Sequence, residues 1–408
     1  MRIAKIDPMC YEKFLAGTRE YLHQQTPASA VSNRVNGRNV RLVALKDGAE
    51  VKAVAKLCYL QYKKIFRSVE LYFGPIFDTK QPEIFGCFVR ELLRYVKRDF
   101  RNIRLRIVPL VEAGRITNGG EKNPNKLACE YIAILQNLGF SQLSLNYDEE
   151  AGIQAKFFYV KEFRGRTEEE IRSSFTSSCR GHMRKAERFG IRIRFLGSDE
   201  CDLFNGILRA TMKRTGMPAY TANTLTPADF EAYGENLMVP LAFIERKHSL
   251  AILQRERKEL VDEILMLEAG QQSRRTLRQV NQLKEAISIA ERRMKEVNEF
   301  CDQYGEIVNL AVAQFFFTET DCSYYQCGAL EEGFIFDPVY AIHDLMFHLA
   351  VQKKVKRYNM FAVSNPSEKE STSDGGVMKF KETFNGEYIE FLGTFEKKIR
   401  LPLLQGKV

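Results

Sequence analysis

The chain has 408 residues, with 61 Lys or Arg against 52 Asp or Glu, a formal net charge of +9. Hydrophobic residues make up 45%, enough for a sizeable core, and the length points to two or three domains rather than one small one. The stretch "MRIAKIDPMCYEKFL" lacks the apolar run expected of a signal peptide, no apolar stretch reaches membrane-span length, and the basic balance favours anionic partners: nucleic acid, an anionic membrane face or phosphorylated substrates. Nine cysteines without a CxxC pair, and five histidines at no metal-ligand spacing, imply free thiols in a reducing, cytoplasmic setting and no metal site.

In chain order, "VRLVALKDGAEVKAVAKLCYLQY" reads as two strands joined at Asp47-Gly48, a strong hairpin signal. "VELYFGPIFD" is a strand ending in a Gly-Pro break. "PEIFGCFVRELLRYVKRDF" places Phe88, Leu92, Tyr95 and Val96 at helical spacing, and "IRLRIVPLV" returns to strand. "VEAGRITNGGEKNPNK" reads as exposed turns. The helix "LACEYIAILQNLGF" and the strand "QAKFFYVKEF" follow. One basic helix is expected from Thr167 to Gly190, carrying Arg180, Arg184, Lys185 and Arg188, before the strand "IRIRFL".

Between Ser249 and Gly305 the apolar period becomes seven. Leu253, Leu260 and Leu267 recur at that interval, as do Val280, Ile287 and Met294, with Leu283, Ala290 and Val297 at the second heptad position. Two helices folded back as an antiparallel coiled coil fit this pattern, with Gly270 and its polar neighbours as the turn. The tip carries Arg274, Arg275 and Arg278, a basic end suited to nucleic acid. Strand and helix signals then resume. "EIVNLAVAQFFF" and "CSYYQCGAL" are expected to pair, "FDPVYAIHDLMFHLAVQKKV" is a helix holding His343 and His348, "RYNMFAVS" is a strand, and "FKETFNGEYIEFLGTFE" is a helix turn and one last strand. The expected fold is α+β, with the arm inserted into the second domain.

The ordered set "YFGPIFD", "MRKAERFGIRIRFL", "MVPLAFIE", "YYQCGA", "RYNMFAVS" and "GGVMKFKETFNGEYIEFLGTF" resembles the Fem family of peptidoglycan-bridge aminoacyltransferases, the staphylococcal Fem and streptococcal MurM-MurN type. The resemblance runs over essentially the whole chain. It implies two acetyltransferase-like (GNAT-like) domains: residues 1–160, and residues 161–247 plus 306–396. The arm is then 248–305 and the tail 397–408. It also implies transfer of an amino acid (Ala, Ser or Gly type) from aminoacyl-tRNA to the stem-peptide amine or growing cross-bridge of a lipid-linked peptidoglycan precursor, at the inner membrane face, with no cofactor. Related Fem-like transferases are possible partners on the same resemblance.

Acyl transfer from ester to amine needs a neutral attacking amine, a donor for the developing oxyanion and a proton for the leaving hydroxyl. No Ser-His-Asp or Cys-His arrangement is evident, so direct attack is the expected route. Spacing leaves Lys379 and Lys381 alike. The resemblance assigns Lys381, after Phe380, to the acyl-transfer site, and leaves Lys379 a surface charge. It places Tyr325 near the acceptor and Gly74 in the first pocket. The family's cations depart here: Asn33 stands near the position of a family lysine, Phe73 replaces the arginine of Arg-Gly-Pro, and Arg214 and Tyr220 are displaced. Arg34 and Lys213 are the substitutes available for the precursor's phosphates. The missing cations also motivate an inactive or regulatory Fem-like paralogue, or an immunity-type cross-bridge modifier. A coenzyme A acetyltransferase would need a glycine-rich pyrophosphate loop that is not evident.

Overall fold

Strands with alternating burial, or with both faces covered, recur along the whole chain. The structure, a computed structural model, describes residues 1–17, 20–62, 65–143, 153–216, 224–270, 273–370, 372 and 374–400. Its first strands are β1 (Arg2–Lys5), β2 (Asn39–Asp47), β3 (Glu50–Tyr62), β4 (Phe66–Tyr72), β5 (Asn102–Val108), β6 (Glu112–Ile116), β7 (Lys122–Pro124) and β8 (Ser141–Gln142). There follow β9 (Phe157–Glu162), β10 (Arg192–Phe195), β11 (Leu237–Met238), β12 (Pro240–Glu245), β13 (Ile307–Phe317), β14 (Asp321–Ala329), β15 (Arg357–Val363), β16 (Glu387–Phe391) and β17 (Phe395–Lys398). Among the described residues they form two mixed sheets. One runs β1-β2-β3-β4-β5-β17-β8, the other β10-β12-β13-β14-β15-β9-β16-β6-β7, with β11 beside β13. The expected α+β class is the observed one.

Each sheet holds one parallel pair, β4–β5 and β14–β15. Parallel neighbours need a crossover, supplied by the helices Pro82–Lys97 and Pro338–Gln352. The first of these buries Phe85, Phe88, Val89, Leu92 and Val96 against its sheet, each worth about 1.5–3 kcal/mol of transfer free energy. The sheets also trade strands. β17, near the end of the chain, lies between β5 and β8, while β6 and β7 extend the edge beyond β16.

The arm consists of the helices Arg246–Ala269 and Arg274–Tyr304. The ion pairs Arg246–Asp302 (2.6 Å), Arg257–Glu291 (2.7 Å) and Lys284–Glu268 (3.8 Å) fix them antiparallel. Leu253, Val280, Ala290 and Val297 are buried along the seam, and Phe300 and Cys301 root it against Phe189, Ile244 and Phe336. At 1.5 Å per residue the shorter helix carries the tip about 36 Å from that root. Among the described residues no helix is long and apolar enough to cross a membrane.

Three expectations change. The helix expected from Thr167 to Gly190 is two helices, Glu168–Ser173 and Ser177–Arg188. The Thr176 hydroxyl caps the second by accepting from the Cys179 amide, while the Thr176 amide donates to the Thr383 carbonyl (3.0 Å), turning the chain. "VEAGRITNGGEKNPNK" contains the hairpin β6–β7, with Ile116 buried. The one final strand is two, β16 and β17, in different sheets, separated at Gly393 with φ 83°. Tyr220, the arm-turn residues Gln271 and Gln272, and tail residues 401–408 lie outside the described residues.

The Asn385-Gly386 turn sits tightly on β9. Asn385 has φ 52°, and a Cβ on Gly386 would collide with the Val160 carbonyl oxygen. Backbone cannot yield as a side chain does. Gly386→Ala is therefore expected to lower the unfolding free energy by about 1–3 kcal/mol in denaturant titrations. Unchanged stability would show that the turn has room.

Candidate functional site

The two parallel pairs differ. β4 and β5 stay paired from Arg67 and Asn102 to Tyr72 and Val108, the last residues of both strands. β14 and β15 pair only through Asp321–Arg357, Cys322–Tyr358 and Ser323–Asn359. Just beyond, each strand has a bulge. On β14 the register jumps from Gln314–Gln326 to Phe315–Tyr324, leaving Tyr325 as the extra residue. On β15 it jumps between Asn359–Val160 and Ala362–Phe158, and Phe361 takes φ 63°. The rings of Tyr325 and Phe361 meet edge-to-face, their centroids 5.2 Å apart.

Lys381 comes to this place from the helix Gly375–Glu382. Its Nζ donates to the Ala362 carbonyl at 2.8 Å, next to the bulge residue. Only 4% of the residue is exposed. Burial lowers the ammonium to a pKa of about 7, although Asp374 opposes the shift. Near neutral pH this lysine therefore holds and releases a proton in comparable amounts. Behind it His343 is fully buried, with Nδ1 2.7 Å from the Tyr358 hydroxyl. Burial and the Lys381 charge lower its pKa to about 3, so its imidazole is neutral.

The other sequence-derived candidates divide. Tyr325 joins Lys381 through the bulge. Phe380 faces the core, against Tyr340 (5.0 Å), Phe384 (5.3 Å) and His343 (5.5 Å). Lys379 is 59% exposed and pairs with Glu370 at 3.2 Å. Gly74 precedes a cis proline, and a Cβ there would press on Leu71 and Gln25. Gln25 in turn donates to the Tyr72 carbonyl (2.6 Å) and accepts from the Lys56 amide (2.8 Å), so Gly74 lies in close packing. Phe73, beside Gly74, lies 6.4 Å from Phe361 and 5.4 Å from Phe158, so an aromatic ring packs where the family resemblance led to an arginine. Arg34 and Lys213 are exposed on the helices Pro27–Val35 and Cys201–Thr215, and Arg274, Arg275 and Arg278 are exposed at the arm tip. A hollow of about 420 Å³ formed by 366–370 and a cavity of about 140 Å³ including Lys369, Glu382 and Tyr388 flank the Lys381 helix. Lys381 lines neither, so strand geometry, not cavity volume, defines the candidate site.

Four residues at the site had no sequence signal: Phe361, Asn359, His23 and Lys56. His23 is buried, stacked on Phe316 at 4.0 Å and 5.0 Å edge-on from Tyr325. Burial, reinforced by Lys56, holds it well below the usual histidine pKa. Lys56 is also buried and donates to the Ser29 hydroxyl at 2.5 Å. That bond ties β3 to the helix Pro27–Val35, one turn before Asn33.

Two mixed sheets, one of them opened at neighbouring bulges beside a buried lysine, frame the candidate site. The chain belongs to the FemAB family, whose model matches residues 6–405. It is 24% identical over 372 residues to the protein named aminoacyltransferase FemA of Staphylococcus aureus strain MW2, covering 90% of this chain and 88% of that one. The same figures hold for FemA of strain COL. The crystal structure of FemX superposes with a TM-score of 0.77, at 18% identity, over 98% of this chain and 97% of that one, a likeness of fold.

A buried lysine with a lowered pKa penalises folding while its unfolded counterpart is protonated. The penalty is full below pH 7 and is relieved as the pH rises from about 7 toward the ordinary 10.5. Lys381→Met is thus expected to stabilise the protein most below pH 7, with the gain shrinking by pH 10. Unfolding free energies across that range check this, and a difference independent of pH contradicts the burial of the charge.

Proposed function

We propose that the protein is a tRNA-dependent aminoacyltransferase that builds or alters a peptidoglycan cross-bridge. It adds an amino acid of the Ala, Ser or Gly type to a stem-peptide or cross-bridge amine of a lipid-linked precursor, as a peripheral protein at the cytoplasmic membrane face. Membership of the FemAB family and the relatives named aminoacyltransferase support the class of reaction. The observation that carries the site is Lys381, buried beside the gap between β14 and β15 with a backbone carbonyl as its hydrogen-bond acceptor.

In this reading the neutral acceptor amine attacks the ester carbonyl of the charged tRNA directly. A carbon–nitrogen bond forms and the carbon–oxygen bond to the ribose breaks. The amine loses one proton and the departing ribose oxygen gains one. The Lys381 ammonium exchanges its bond to Ala362 for one to the oxyanion of the tetrahedral intermediate, where a fixed donor in a dry site is most effective. Tyr325 and Phe361 form apolar walls for the reacting ester. No covalent enzyme intermediate is required, and orientation of the two substrates supplies the remaining acceleration. The exposed arginines of the arm tip meet the tRNA backbone, and the positive charge of the chain favours both polyanionic substrates.

Purified protein, lipid-linked precursor and tRNAs charged with Gly, Ala, Ser or Thr test the proposal. Transfer from at least one is expected, and transfer from none would sink it. Lys381→Ala is expected to lower turnover by about 10²-fold with the fold intact, the scale of losing one oxyanion donor. Because the ammonium is the working form, wild-type turnover should decline as the pH rises through about 7. Lys381→Arg, protonated throughout, should be slower but lack that decline.

A further inference from the structure

We infer that Asn359 is a positioning residue, whose side-chain clamp on the Phe361 bulge holds the Ala362 carbonyl against Lys381. The catalytic meaning of this clamp rests on the proposed role of Lys381, but the geometry stands independently.

A non-glycine residue at φ 63° persists only when its surroundings hold it there. The Phe361 amide donates to Asn359 Oδ1 at 2.8 Å, a local side-chain turn closing over two residues. Asn359 is itself 1% exposed and oriented from below, its Nδ2 donating to Asp321 Oδ2 at 3.4 Å. Asp321 is fully buried and fixed by Arg357 Nε (2.9 Å) and Ser323 Oγ (2.5 Å). The four residues span the last three residue pairs of β14 and β15. The network thus ends where pairing ends. Its final member turns the next peptide units so that Ala362, three residues on, aims its carbonyl at Lys381 Nζ. The Phe361 ring, meanwhile, wedges between Phe158 (4.6 Å) and Tyr325 (5.2 Å). Ring packing alone fixes a side chain, whereas the amide bond to Asn359 fixes the backbone that presents the carbonyl.

Asn359→Ala removes the clamp while the aromatic rings still exclude water. An ammonium that loses its acceptor in a dry site is disfavoured, so Lys381 should titrate about one pH unit lower. Nuclear magnetic resonance of the lysine side chains, with Lys381 assigned by its absence in Lys381→Ala, reads this on the free protein. Turnover should fall about tenfold with an unchanged KM for charged tRNA. Phe361→Gly, which accepts the positive φ unaided, should make the Lys381 titration insensitive to a further Asn359→Ala change. This second background also serves if Asn359→Ala alone fails to fold. An unmoved or raised Lys381 titration in Asn359→Ala, or an equal shift in both backgrounds, would overturn the proposal. Absence of transfer by the wild type, with the titration still responding to Asn359, would instead overturn the functional reading.

Discussion

The hydrogen-bond ladder between β14 and β15 stops after three residue pairs, and the candidate site exists because it stops there. Parallel strands that remain paired present no gap, as β4 and β5 illustrate in the other sheet. The opening requires one extra residue on each strand, Tyr325 and Phe361, and each needs its own support. Tyr325 is braced by His23 and Phe316. Phe361 is braced by the Asn359 side chain and the Phe158 ring. Lys381 then finds a backbone carbonyl in place of a carboxylate, which leaves its charge available and its pKa lowered by burial.

The two sheets are coupled at this place. His23 and Phe73, from the N-terminal third, reach Tyr325 and Phe361 in the second sheet. Arg357 closes the base of the opening on Asp321 and lies 3.7 Å from both Glu20 and Glu112. Its surrounding carboxylates outweigh the cost of its burial and keep it charged. β17 carries the chain back into the first sheet soon after the Asn385-Gly386 turn, starting at Phe395. Displacing the halves would therefore strain the bulge as well as the interface.

Much of the fold was legible because its signals are local. The Asp47-Gly48 hairpin, the amphipathic helix around Phe88 and Leu92, and the sevenfold period of the arm all follow from short-range pattern. Strand order is not local, so the return of β17 to the first sheet was hidden. The helix break before Thr176 was written in the chain as a second capping threonine, but the polar run around it masks the signal. Lys379 and Lys381 look alike by spacing, and only burial separates them: Lys379 is exposed and Lys381 is buried. The bulges were illegible for a deeper reason. "YYQCGA" and "RYNMFAVS" read as ordinary strands, and a phenylalanine at positive φ carries no glycine to announce it. The clamp at Asn359 becomes visible only once the backbone it holds is known.

A non-hydrolysable aminoacyl-adenosine analogue, with an amide in place of the ester, would locate the reacting carbonyl directly in a crystal of the complex. Its carbonyl oxygen should lie about 3 Å from Lys381 Nζ, beside the rings of Tyr325 and Phe361, with Lys381 released from Ala362. An analogue bound elsewhere, with the Lys381–Ala362 hydrogen bond intact, would contradict transfer in the gap between β14 and β15.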